Sequence, residues 1–205
     1  MKILIPTYKQ VEEVQSLVDE IHKSYPDHEV YASCAKDSAS VNRNLCLDQL
    51  AIGEIAIMID DDITGFYQGW VEDLVSPLFD IPGAVMVSAR LLKQDGTFGP
   101  TCSGTYKSEP EIIEVDRKRW TTLPTAAISF VYCGYRFDEN FKGSGWEDND
   151  WCLKYRKESP CAKFIQSNRC KLVHLNQMKE QKGPNWHWNQ KYFQSIWPCM
   201  PEREE

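Results

Sequence analysis

The chain has 205 residues, with 23 Lys and Arg against 30 Asp and Glu and a formal net charge of −7. Its 42% hydrophobic and 26% charged residues are ordinary for a globular fold, and seven Trp argue against disorder. The acidic balance excludes a general nucleic-acid binder, which needs Lys and Arg to replace phosphate counterions, and no apolar run approaches the roughly 18–20 residues of a membrane span.

Ile3, Leu4 and Ile5 form an apolar run that Pro6 stops, which predicts a strand entering a turn. That run is too short for the core of a signal peptide, so the expected location is the cytoplasm. Val11, Val14, Leu17, Val18 and Ile21 follow the helical period, and Pro26-Asp27 ends that helix. Residues 28–34 predict a second strand, and residues 40–50 a helix entered through Ser40 as its cap. Residues 54–59 (EIAIMI) are apolar on both faces, as a central parallel strand must be. A helix over 66–79 and a strand over 84–91 follow. Residues 93–109 are rich in Gly, Thr, Ser and Pro and predict a long loop or hairpin. Residues 125–137 predict a strand, 148–158 a helix, and 163–175 one or two strands. The tail from Asn176 is polar and aromatic. This alternation predicts one α/β domain: a mostly parallel central sheet flanked by helices and joined by right-handed crossovers. Eight Cys occur without any CxxC pair, so a zinc ribbon is excluded and buried reduced thiols are expected.

Asp60-Asp61-Asp62 directly follows the buried strand. Ligands of open α/β sheets bind at the carboxyl ends of strands. Three adjacent carboxylates repel one another unless they are solvated or paired. In extended backbone Asp60 and Asp62 point to one side and Asp61 elsewhere. Hard oxygen ligands in that place suit Mg²⁺ or Mn²⁺ with a substrate diphosphate. A second acidic cluster, Gly143-Ser144-Gly145-Trp146-Glu147-Asp148-Asn149-Asp150, enters a predicted helix. The helix dipole can account for Asp150 and for Asp148, but not for Trp146 beside Gly145. Trp146 beside Glu147 and Asp148 suits a sugar, whose C–H face packs on an indole while its hydroxyls bond to acids. One of those carboxylates could also take a proton from an attacking hydroxyl.

These segments resemble the GT-A fold glycosyltransferases, especially the family-2-like inverting group. ILIPTYK resembles that family's first strand and nucleotide-binding turn. SVNRNLCLDQLAIGEIAIMIDDDI resembles its ARN helix, the following strand and the D-x-D motif. FDENFKGSGWEDNDWCLKYRK resembles its ED segment, and also that of the beta-1,4-galactosyltransferases. LVHLN and NQKYFQSIW resemble its closing strand with a His and a terminal aromatic helix. The resemblance spans roughly residues 3–197.

The resemblance implies a single Rossmann-like GT-A domain, with residues 1–92 as the nucleotide-sugar half and 93–205 as the acceptor half. It implies a metal-dependent transfer of a sugar from a nucleotide-diphosphate sugar, UDP by family frequency, to a glycan or other hydroxyl acceptor. Pro6, Thr7 and Tyr8 would line the base pocket and Asp37 would meet the base edge. Arg43 would face the diphosphate or the base, and Asp60, with Asp61 beside it, would sit near the ribose. Asp62 and His174 would ligate Mn²⁺ or Mg²⁺. Asp148 would be the general base, Glu147 would hold acceptor hydroxyls, and Gly145 and Trp146 would floor the acceptor subsite. Two departures stand out: Asn42 replaces the usual Ala of the ARN helix, and only about six residues, Cys34 to Ala39, separate the second strand from that helix. Two alternatives remain open at this level. A nucleotidyltransferase also sets acids at strand ends, but the turn IPTYKQVEE lacks its Gly-rich loop. A carbohydrate-binding module would use the aromatic residues but needs no second acidic cluster. His187 lies between Trp186 and Trp188, and the polar stretch with Lys179, Lys182 and Gly183 reads either as a lid or as a surface loop.

Overall fold

The computed structural model describes residues 1–35, 37–98, 111–115, 122–159, 161–175 and 185–198. Most of the expected 93–109 loop, the expected lid residues Lys179, Lys182 and Gly183, and Cys102 and Cys199 lie outside the described residues. The strands are β1 (Lys2–Thr7), β2 (Glu29–Cys34), β3 (Ile55–Ile59), β4 (Ile63–Thr64), β5 (Ala84–Leu92), β6 (Ile112–Glu114), β7 (Ala127–Val131) and β8 (Lys163–His174). The helices are α1 (Gln15–Ser24), α2 (Ala39–Leu47), α3 (Trp70–Asp80), α4 (Glu147–Glu158) and α5 (Trp186–Ile196). A 3-10 turn at Val11–Val14 leads into α1. No helix among the described residues is long and apolar enough to cross a membrane.

The strands form one sheet in the order β2-β1-β3-β7-β5-β8-β4, with β6 also paired to β8. β2, β1, β3, β5 and β8 run in one direction, and β7 runs against β3 and β5. The expected mostly parallel sheet is present, with β7 reversed at its centre and the short strands β4 and β6 reversed against β8. β1 and β3 show why the sheet is buried on both faces. Ile3, Ile5, Ile57 and Ile59 join a core packed by Leu17 and Ile21 of α1 and Trp70 and Leu74 of α3. Leu4, Ala56 and Met58 point the other way, toward Cys46 and Leu47 of α2 and Trp151 and Tyr155 of α4. A period of two thus feeds two apolar layers at once.

Local chemistry sets the element ends. The hydroxyl of Ser38, not Ser40, caps α2 by accepting from the Val41 amide at 3.2 Å. Ser40 is buried inside the first turn. Pro77 lies within α3 and cannot donate to the Asp73 carbonyl four residues back. The Ser167 hydroxyl of β8 donates to that carbonyl instead, at 2.7 Å, so the sheet repairs what Pro77 removes. The expected strand over 125–137 is shorter, because only Ala127–Val131 pairs with β3 and β5. Residues 163–174 form one long strand with a register shift where it pairs with β5. The described cysteines are free thiols; Cys46, Cys152 and Cys170 are buried, while Cys161 is exposed.

Candidate functional site

The three aspartates after β3 go to three different partners. The Asp60 carboxylate meets Arg43 Nη2 at 3.3 Å. Asp61 turns back toward β1, where the Thr7 hydroxyl donates to it and Lys9 Nζ lies 3.4 Å from it. Asp62 faces His174, with Oδ1 to Nε2 at 3.1 Å. Asp60 and Asp62 thus share a side and Asp61 leaves it, although the triplet is a turn closed by the Ile63 amide donating to the Asp60 carbonyl at 3.2 Å and not the extended segment expected.

His174 reaches the cluster through β4. Immediately after Asp62 the chain forms this two-residue strand, whose Ile63 pairs with His174 and whose Thr64 pairs with Val173. The Leu175 amide then donates to the Asp62 carbonyl at 3.0 Å. As a result one ligand atom each from Asp60, Asp62 and His174 lies within 4.8 Å of the others. Two carboxylates and an imidazole, all half-buried, make a donor set that fits a hard or borderline divalent cation such as Mn²⁺. Their proton affinities show the same crowding. Desolvation raises the Asp60 pKa, with the Asp62 charge adding to it and Arg43 opposing. Desolvation pulls the His174 pKa down, but the hydrogen bond and charge of Asp62, together with Asp60, leave it raised overall.

A cavity of about 220 Å³ opens beside this cluster, walled by Pro6, Tyr8, Asn42, Arg43, Asp60, Asp61, Asp62 and Ser144. Thr7 is buried beneath it and anchors Asp61. Tyr8 is exposed along one side and donates its hydroxyl to the Gly143 carbonyl at 3.1 Å. Burial of the phenol and the nearby Glu147 charge push its pKa up to about 12, so it stays a donor. Asp37 is exposed in the turn before α2 and does not line the cavity. Asn42 is buried, and its side-chain oxygen accepts from the Ala35 amide at 2.5 Å. An Ala in its place could not satisfy that amide in so short a connection. Arg43 pairs with neither Asp48 nor solvent. It is 7% exposed, and Asp48 is held by Arg136.

The second acidic cluster starts α4. Glu147 is 3% exposed and its Oε1 lies 2.6 Å from Arg43 Nη1. Asp148 is half-buried and accepts from the Asn149 amide at 2.8 Å. Desolvation raises both pKa values, against the lowering charge of Arg43. Asp150 is buried between Lys154 at 2.7 Å and Trp197 Nε1 at 3.0 Å, a structural role. Trp146, expected as an open platform, is 7% exposed and packs against Trp186 and Phe193 with ring centroids 5.4 and 5.1 Å away. The turn before it is held from both sides. The Gly143 carbonyl accepts from the Ala39 amide at 2.8 Å, and Asn189 of α5 donates to the carbonyls of Lys142 and Gly145 at 2.9 Å each. Sequence reasoning missed Lys9 and Asn189. Lys9 stands one residue beyond the recognised turn, and Asn189 is linked to its loop only by the fold.

No protein-family model matches the sequence, and no curated protein matches it. Solved structures do. GalNAc-T7 with UDP, GalNAc and Mn²⁺ superposes with a TM-score of 0.58 and 13% identity, over 96% of this chain and 44% of that one. Glucosyl-3-phosphoglycerate synthase from Mycobacterium tuberculosis, with Mn²⁺, UDP-glucose and phosphoglyceric acid, gives 0.53 and 13%, over 98% of this chain and 80% of that one. The mannosyltransferase PcManGT from Pyrobaculum calidifontis, with GDP-Man and Mn²⁺, gives 0.55 and 13%, over 92% and 60%. The chain spans less than half the length of GalNAc-T7. The superpositions show that the chain has the GT-A glycosyltransferase fold.

Proposed function

We propose that the chain transfers a sugar from a nucleotide-diphosphate sugar, with UDP as the nucleotide, to an acceptor hydroxyl, inverting the anomeric carbon. The observation that carries this reading is the convergence of Asp60, Asp62 and His174 at the carboxyl end of β3, beside a cavity walled by Pro6, Tyr8 and Arg43. UDP, UDP-glucose or GDP-Man with Mn²⁺ in the similar structures supports the same reading. Asp62 and His174 would hold Mn²⁺ or Mg²⁺, with Asp60 beside them toward the ribose. When bound, that cation offsets the charge that gathers on the leaving diphosphate. Pro6, Thr7 and Tyr8 form the wall for the base, and Asp61 fixes that wall through Thr7. Glu147 accepts hydrogen bonds from acceptor hydroxyls beside the attacking one, and the attacking hydroxyl points its own hydrogen at Asp148. Asp148 takes its proton as the new glycosidic bond forms and the bond to the diphosphate breaks. A raised pKa makes Asp148 a stronger proton acceptor than an ordinary aspartate. Gly145 and Trp146 hold the acceptor edge in shape.

A thermal-shift screen of UDP, GDP, CDP and their sugars, with and without Mn²⁺, tests the reading. Saturation at about 100 Kd adds roughly 2.7 kcal/mol of stability. The expected result is stabilisation by a nucleotide only when Mn²⁺ is present, lost in Asp62→Ala. Asp148→Asn is expected to keep nucleotide binding and abolish transfer, and the anomeric configuration of the product by NMR decides inversion. Stabilisation by glycans alone would point to a carbohydrate-binding module.

A further inference from the structure

Arg43 stands at the seam between the two acidic clusters. It projects from α2, and its two terminal nitrogens take different carboxylates: Nη1 meets Glu147 Oε1 at 2.6 Å and Nη2 meets Asp60 Oδ1 at 3.3 Å. Phe137 backs the guanidinium, with its ring centroid 5.3 Å from the guanidinium carbon. Asp60 follows β3 on the metal-cluster side, and Glu147 opens α4 on the acceptor side. Without Arg43 these carboxylates would be like charges brought together out of water. With it, each is attracted to a shared centre. A planar guanidinium can serve two carboxylates lying in different directions, whereas a lysine ammonium is a single point charge.

We propose that Arg43 is a positioning residue that clamps the start of α4 to the donor-side cluster, rather than a ligand of the diphosphate. Both of its terminal nitrogens are already committed to protein carboxylates. The 2.6 Å contact to Glu147, shorter than the 3.3 Å contact to Asp60, fixes the guanidinium to the start of α4. The clamp also leaves Glu147 half used. Its Oε1 is held by Arg43, while its Oε2 is buried with no hydrogen-bond partner among the described residues. A buried carboxylate oxygen without a partner is costly and is held for something. A non-attacking hydroxyl of the acceptor is the donor that fits, so Arg43 orients Glu147 to hold the acceptor next to Asp148. The catalytic meaning of the clamp rests on the glycosyl-transfer reading above; the clamp itself does not.

The test compares wild type with Arg43→Lys in three measurements. Calorimetry reads UDP affinity with Mn²⁺. Hydrogen–deuterium exchange without ligand reads the amides of the first two turns of α4. Hydrolysis of UDP-glucose, UDP-galactose and UDP-GalNAc, with water as acceptor, reads turnover. The expected result is UDP affinity within threefold of wild type, α4 amides exchanging at least tenfold faster, and kcat down at least tenfold with donor KM unchanged. A tenfold loss of UDP affinity with α4 exchange unaltered would make Arg43 a diphosphate ligand and overturn the proposal. Unaltered α4 exchange alone would also overturn it. If Arg43→Lys does not fold, the neutral pair Arg43→Gln with Glu147→Gln takes its place, and the same acceleration of α4 exchange is required. A wild type that binds no nucleotide with Mn²⁺ sinks the glycosyl-transfer reading, while the ligand-free exchange still decides the clamp.

Discussion

Three identical side chains in a row meet three different partners, and position in the turn between β3 and β4 decides which. Asp61 is spent on Thr7 and Lys9, so it stiffens the turn after β1. Asp60, paired with Arg43, and Asp62 face His174, where a bound cation would offset what is left of their mutual repulsion. His174 gives this arrangement a pH signature. A metal ligand must be a neutral imidazole, so protons and metal compete for Nε2. Because Asp62 and Asp60 raise the His174 pKa above its ordinary 6.5, protonation persists to higher pH than in a free histidine. Mn²⁺ affinity measured in the presence of UDP is therefore expected to fall steadily from pH 8 to pH 6. His174→Ala should weaken Mn²⁺ binding about tenfold or more at pH 8, by analogy with losses at metal-site partners, and should flatten that slope. A slope that survives in the alanine variant would place the competing proton elsewhere.

At the scale of elements, the turn that delivers α4 is the most constrained piece of backbone in the site. Trp146 adopts φ 75° as the residue before α4, the one positive φ at a non-glycine among the described residues. Gly145 before it has φ 106°, and a Cβ there would sit 2.9 Å from the Trp186 ring. Gly145→Ala is therefore penalised twice, by its dihedral and by the ring. Strain of this kind costs on the order of 1–3 kcal/mol. At roughly 2–4 °C per kcal/mol for a chain of this size, the melting temperature should drop by several degrees. Calorimetry checks this, and an unchanged melting temperature would mean that α5 gives way and does not hold the turn. Much of this architecture was legible in the sequence, because α1 carries a helical period, β1 and β3 are short apolar runs, and one acidic cluster follows β3 while the other opens α4. What was not legible is long-range. β4 is only Ile63-Thr64, too short to show any period, yet its pairing with β8 brings His174 to Asp62. Trp146 reads as an open platform beside two glycines, but α5, far along the chain, covers it. Ser38 and Ser40 are equally good caps by type, and only the register of α2 chooses between them. Asp37 follows the second strand as expected of a base contact, but the short connection leaves it exposed outside the cavity lining.

For the whole molecule, the site should govern how stability depends on pH. Stability rises with pH where the unfolded chain holds more protons and falls where the folded chain holds more. Asp60, Glu147 and Asp148 have folded pKa values raised above 3.8 or 4.5 by desolvation, and His174 is raised above 6.5. Above those ordinary values and up to the raised ones, the folded protein holds the extra protons, so every one of the four groups makes stability fall as pH increases. Glu54, Asp95 and Asp138 shift downward and act with the opposite sign. Their window, however, lies below about pH 4, between lowered folded values and ordinary carboxylate values, and leaves the neutral range untouched. Cys46 and Cys170, pushed up by burial from 9.0, act only above that value. The neutral range is thus left to the two acidic clusters. Each pH unit between a folded and an unfolded pKa is worth about 1.4 kcal/mol. In EDTA, urea unfolding is expected to show a stability lower at pH 8 than at pH 5.5. Mn²⁺ with UDP at pH 8 should recover that loss, because the bound cation supplies the positive charge that protons supplied at the lower pH. A midpoint in EDTA that is flat or higher at pH 8 would mean that the carboxylates are solvated or paired well enough to need no cation.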